Sequence, residues 1–153
     1  MSQVTATPAR LVGWVEVRAT GSPAEFGTDP DSERTAVSVV WDELVARGFK
    51  VDDRQSTGVG YDLLARHRVS GEHRLVEVKG QAGELGAVML EQQEWAQAQQ
   101  RGSVYWLYVV TACATSPSIA VRVRDPAGFF AGPKIIQRFQ IPLSELRRAA
   151  ITQ

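Results

Sequence analysis

GYDLLARHRVSGEHRLVEVKG, residues 60–80, decides the fold. Two runs, 61–69 and 74–80, flank the turn sequence Ser70-Gly71-Glu72-His73, and together they predict an antiparallel β-hairpin. Successive side chains alternate across a strand, so Val76 and Val78 point to one face of the second strand and Glu77 and Lys79 to the other. Asp62 stands near the start of the first strand, between Tyr61 and Leu63. Two acids and a lysine therefore gather around a hairpin flanked by apolar residues.

On the N-terminal side, Asp29-Pro30 reads as a helix start, an N-cap followed by proline in the first turn. Ala36, Val37, Val40, Trp41, Leu44 and Val45 recur at helical spacing, and Gly48 supplies the stop. Glu33, four residues before Val37 and seven before Val40, lies on the apolar face one turn above the core. Asp42, Glu43 and Arg47 fall on the solvated side. FKVDD (49–53) is a short strand and RQSTGVG after it a flexible turn. Residues 11–19, LVGWVEVRA, look like a strand followed by a turn-rich linker. Residues 1–29 are thus expected to be an N-terminal strand and linker that packs on the domain or on a neighbour, and 30–153 the domain itself.

On the C-terminal side, Gly80, Gly83 and Gly86 interrupt the chain before AVML (87–90), an expected strand. EQQEWAQAQQR (91–101) reads as a helix with Trp95 and Ala98 inward and Gly102 ending it. VYWLYVVTA (104–112) is continuously apolar, as a central strand covered on both faces must be. IAVRVRDP (119–126) alternates and so is half-exposed, KIIQRFQI (134–141) is a further strand, and PLSELRRAA (142–150) a terminal helix. The fold class is α/β, a sandwich with a central mixed β-sheet flanked by helices.

A chain of 153 residues, 44% hydrophobic and 22% charged, has the size and composition of one globular domain. The single cysteine, Cys113, excludes an internal disulfide and any multi-cysteine metal site. The N-terminus lacks a signal-peptide pattern and no apolar run approaches membrane-spanning length, so a cytoplasmic protein with no membrane partner is expected. Net charge is zero, which argues against coating nucleic acid by charge alone. Residues 121–153 are nevertheless basic, through Arg122, Arg124, Lys134, Arg138, Arg147 and Arg148. Such a patch can meet phosphates, although a solvated surface is the commoner account of it.

The hairpin carries the chemistry. Mg²⁺ or Mn²⁺ takes hard oxygen ligands, commonly one or two carboxylates with water and substrate phosphate. Asp62 and Glu77 on adjacent antiparallel strands can converge on one such ion, and Lys79 projects from the same face as Glu77. The lysine is then placed to orient or activate an attacking water or to neutralise charge on a scissile phosphate. Glu33 can supply another carboxylate or hold a water of the site.

The spacing Asp62 … Glu77-Val78-Lys79 resembles the PD-(D/E)xK nuclease superfamily, where an acid is followed by acid–x–lysine on the paired strand. A tighter match covers roughly residues 30–145: ERTAVSVVWDEL, GVGYDLLA, HRLVEVKGQ, LEQQEWAQAQQRGSVYWLYVV and RVRDPAGFF, in that order, resemble the DUF3883 family, the "NO VEIN" C-terminal domain. That family looks nuclease-like and often sits behind helicase or ATPase modules, including those of restriction and phage-defence systems. The resemblance implies a restriction-endonuclease-like fold, metal ligation by Asp62, Glu77 and the Val78 carbonyl, and a catalytic lysine at Lys79. It also makes Glu33 the helix acid, while Gln81, just after the motif, is placed to touch the substrate backbone. Two positions depart from the pattern: Gly60-Tyr61 precedes Asp62 where proline is common, and Glu91 stands where a small hydroxyl residue usually caps the second helix.

Each residue also has a plainer account. Glu77 and Lys79 fit a solvated i, i+2 pair, Asp62 a turn cap, and Glu33 an acid drawn to a helix N-terminus. Tyr105, Trp106, Tyr108 and Trp95 read as core, His67 and His73 as surface. The expected function is a metal-dependent endonuclease acting on DNA, with RNA as a possible substrate, inside a helicase- or ATPase-linked assembly or as a homodimer. The alternative keeps the fold without catalysis, as a nucleic-acid-binding or protein-interaction module.

Overall fold

The structure is a computed structural model and describes residues 29–131, 133, 135 and 142–151. Helix α1 (Pro30–Ala46) begins where the Asp29 side chain accepts the N–H groups of Asp31 and Ser32, with proline in the first turn. Gly48, at φ 92°, turns the chain out of α1 into strand β1 (Phe49–Asp53). Strands β2 (Leu63–His67) and β3 (His73–Gly80) form the expected hairpin. Helix α2 (Gln92–Arg101) leads to β4 (Tyr105–Thr111) and β5 (Ser118–Arg124). The short α3 (Pro126–Phe129) and α4 (Leu143–Ile151) follow.

The five strands lie in sequence order, β1-β2-β3-β4-β5. β1, β2 and β3 are antiparallel neighbours, β4 runs parallel to β3, and β5 returns antiparallel to β4. A parallel pair needs a crossover, and α2 supplies it. The result is the α/β architecture with a mixed sheet that the sequence led us to expect.

The two faces of the sheet are distinct. Ala36, Val40 and Leu44 of α1 pack on Leu63, Ala65, Val76, Val78, Tyr108 and Val110. On the opposite face, Ala98 of α2 meets Leu64, Leu75 and Tyr105, while Val88 and Leu90 cover Leu107, Val109 and Val123. Each fully buried aliphatic side chain contributes roughly 1.5–3 kcal/mol of transfer free energy. Gly80 sets the separation of α1 from the sheet: a Cβ there would lie 2.3 Å from the Ser32 carbonyl oxygen and 2.9 Å from the Ala36 Cβ.

Some expectations need correction. AVML at 87–90 is not a strand; residues 85–91 have no regular structure. Both edges of β4 are already paired, by β3 and β5, so this segment covers the sheet face with Val88 and Leu90 instead of joining the ladder. Val45 is 45% exposed, not core, because it sits one residue round the helix from the buried Leu44. β4 is covered on both faces as expected, although the middle strand of the five is β3. The expected strand at 11–19 lies outside the described residues, as does nearly all of that at 134–141, whose one described residue, Ile135, is in no regular element. Among the described residues, no helix is long and apolar enough to cross a membrane.

Candidate functional site

The β2–β3 register pairs Leu63 with Val76, the last pair of that ladder. Asp62 extends it by one step. Its N–H donates to the Val76 carbonyl at 2.9 Å, and its Oδ2 accepts the Val78 N–H at 2.9 Å. The carboxylate is thereby held against β3 and does not cap the preceding turn. In an extended strand the N–H and C=O of one residue point to the same side, so the Val78 carbonyl faces the gap that Asp62 occupies.

Glu77 and Lys79 project from β3 toward the α2 face, the side that Leu75 and Leu64 also take. Both are buried, at 2% and 7% exposure. Lys79 Nζ lies 2.8 Å from Glu77 Oε1 and 2.9 Å from Glu94 Oε2. Glu94 is the third residue of α2, and the same oxygen accepts the Glu91 N–H at 2.8 Å. The Glu91 carboxylate accepts the Glu94 N–H in return, a capping box with acids at both positions. Glu91 thus caps α2 as the missing hydroxyl residue would, and the cap is wired to the lysine.

Tyr105 closes the floor. Its buried hydroxyl donates to the Gly60 carbonyl at 2.8 Å, and Gln93 Nε2 donates to the Gly58 carbonyl, so α2 and β4 together hold the loop that delivers Asp62. Gly60 suits this contact, with φ 83° and a built Cβ only 2.8 Å from the Gln97 side chain. Glu33, half-buried in the first turn of α1, makes no side-chain hydrogen bond or ion pair among the described residues. It is near enough to Asp62 to help raise that residue's pKa.

Electrostatics follow from burial. Desolvation raises Asp62 to about 6, against the opposing Val78 N–H and Lys79, with Glu94 and Glu33 adding to the rise. Desolvation likewise raises Glu77 to about 9, helped by Asp62 and Glu94 and opposed by Lys79. Burial disfavours the Lys79 ammonium, but the Glu77 and Glu94 carboxylates outweigh it and hold the lysine charged beyond its ordinary range. Burial and the carboxylates of Glu77, Glu94 and Asp62 also push the Tyr105 phenol up. Three carboxylates surround one ammonium. The surplus negative charge, out of water, is relieved by retained protons or by a second cation.

A hard divalent cation fits that surplus. Two carboxylates and a backbone carbonyl, from Asp62, Glu77 and Val78, are oxygen donors of the type that Mg²⁺ and Mn²⁺ take. Among the described residues no group of three or more His, Cys, Asp or Glu side chains is arranged to hold a metal ion, so any such ion would complete its shell from water or substrate.

The remaining sequence candidates have other work. Gln81 is spent on its own loop: Nε2 donates to the Gly86 and Ala87 carbonyls at 2.9 and 3.2 Å, and Oε1 accepts the Gly86 N–H. His67 Nδ1 accepts the Val69 and Ser70 N–H groups, and its ring meets Phe49 edge-on, so it organises the hairpin turn. Burial raises the Cys113 thiol, the opposite of what a nucleophile needs. Arg122 pairs with Glu43 at 2.8 Å, and Arg124 donates to the Ser103 carbonyl at 2.7 Å, which removes both from a free basic patch. Glu94 and the Tyr105 hydroxyl were not singled out from the sequence. The Glu91-x-x-Glu94 spacing ahead of the helix is the one signal that points to Glu94.

A family model described as Protein NO VEIN, C-terminal, matches residues 32–123, a span that contains Glu33, Asp62, Glu77, Lys79, Glu94 and Tyr105. No curated protein and no solved structure matches the chain.

Proposed function

The chain belongs to the Protein NO VEIN C-terminal family, and from its buried acid–lysine cluster we propose that it is a metal-dependent nuclease domain hydrolysing DNA phosphodiester bonds. One observation supports this above the others: Asp62, Glu77 and Lys79 share one face of the hairpin, with Glu77 and Lys79 nearly removed from water. Buried ionised groups are costly and bring little net stability, so an excess of acid over base inside a domain points to a ligand. The order of acid and acid–x–lysine on paired strands agrees with the PD-(D/E)xK pattern.

Asp62, Glu77 and the Val78 carbonyl would hold Mg²⁺ or Mn²⁺. When bound, such an ion polarises a phosphoryl oxygen and acidifies water. Lys79, kept protonated by the acidic groups beside it, acts as a fixed positive charge facing the phosphate rather than as a base. Glu33, with its carboxylate unpaired among the described residues, would orient a water beside Asp62, whose pKa its charge helps to raise. Neutral overall charge and the committed Arg122 and Arg124 support a domain that takes DNA affinity from a helicase or ATPase subunit, a defence-system partner or a second copy.

The test is cleavage of supercoiled plasmid, and of a matched RNA, by the full chain with Mg²⁺, Mn²⁺ or EDTA. Expected is divalent-dependent nicking, reduced about 100-fold or more by Lys79→Ala or Glu77→Gln with the fold intact. DNA binding without cleavage in any divalent metal would overturn the enzymatic reading in favour of a non-catalytic binding module of the same fold.

A further inference from the structure

Lys79 has two carboxylate partners at nearly equal distance, but they are not equivalent. Glu77 sits two residues along the same strand and is, on the reading above, a cation ligand. Glu94 comes from α2, and its Oε2 is already fixed by the Glu91 N–H at 2.8 Å. A cation that recruits Glu77 must draw it from Lys79. An ammonium buried to 7% exposure cannot be left without an acceptor except at high cost.

We propose that Glu94 is a positioning residue for Lys79: held by the helix cap, it retains the ammonium when Glu77 turns to the cation, and so prevents the lysine from competing for that ligand. The inference rests on the cation-site reading and deepens it. Glu94 acts here through Lys79, with no contact to cation or substrate required. The capping box gives the anchor its rigidity, because one carboxylate oxygen serves both the first turn of α2 and the ammonium.

A double-mutant cycle on the full chain tests this, with Mn²⁺ binding measured by calorimetry in the absence of DNA. Glutamine at 94 can still accept the Glu91 N–H, so Glu94→Gln keeps the cap while removing the charge. Expected is a loss of Mn²⁺ affinity of about tenfold or more for Glu94→Gln in the natural chain, falling to less than about threefold in a Lys79→Met background, where the competitor is gone. Glu94→Asp, which keeps the charge but shortens its reach, should follow the same pattern, and thermal melting of each variant reports fold. Equal losses in both backgrounds, or none in either, would overturn the proposal, because Glu94 would then act by its own charge or not at all. Mn²⁺ binding that depends on Glu77 but brings no DNA cleavage would sink the nuclease reading while leaving the cycle to decide the role of Glu94. No Mn²⁺ binding by the natural chain would sink the cation site, and this proposal with it.

Discussion

Glu77 is the residue on which the site turns, and its burial has a consequence for stability. Its ordinary value lies near 4.5, whereas the folded chain keeps its proton to about 9. Between those values the folded state binds the proton and the unfolded state does not, so the stability Glu77 contributes is complete below about 4.5 and is lost as pH rises toward 9. Asp62 acts in the same direction between 3.8 and about 6. Lys79, raised above its ordinary 10.5, titrates beyond this window and adds no slope within it. In EDTA, melting temperature should therefore fall from pH 5 to pH 9, with at most about 1.4 kcal/mol lost per pH unit for each extra proton held. Glu77→Gln should flatten the profile, and an unchanged slope would show that Glu77 titrates normally. Asp62, Glu77 and Lys79 were legible in the sequence because a period of two assigns faces within a hairpin without knowledge of the rest of the molecule. Glu94 was not, since its contact with Lys79 spans 15 residues and depends on how α2 is laid across the sheet.

Among the elements, α1 and β3 approach closely where Gly80 passes under Ser32 and Ala36. Neither the Ser32 carbonyl nor the Ala36 Cβ is the end of a flexible side chain, so a methyl group at 80 forces the helix away from the strand that carries Glu77 and Lys79. Gly80→Ala should cost about 1–3 kcal/mol, read as a lower midpoint in urea at constant m-value. A melt indistinguishable from the natural chain would mean that α1 is free to shift. From sequence, Gly80 closes the second strand of the hairpin and opens a glycine-broken stretch; as the last residue of β3 it serves above all the close approach of α1. The apolar run 87–90 misled for a related reason. Hydrophobicity reports burial, and a segment that lies over a sheet is as buried as one that joins it.

At the scale of the whole molecule, balanced charge sets the expected mode of nucleic-acid binding. The 17 Lys and Arg are matched by 17 Asp and Glu, and Arg122 and Arg124 are engaged in contacts within the chain, so the chain carries no net excess of positive charge with which to release counterions from DNA. Binding of a short duplex by the isolated chain should be weak, with a slope of log K against log salt shallower than about −3, measured by fluorescence anisotropy. A steep slope would place a large basic surface on this chain itself and remove the need for a partner. What the sequence determined unaided was local and periodic: the capped first helix, the hairpin, the apolar strand expected at 104–112 and found at 105–111, and the face of β3 on which an acid and a lysine had to fall. Only the tertiary structure decided that the lysine is shared by two carboxylates, that Asp62 grips the Val78 N–H, and that α2 and Tyr105 close the cluster from water. Those contacts join residues far apart along the chain. Alternation along a strand carries no information about which helix will cover it.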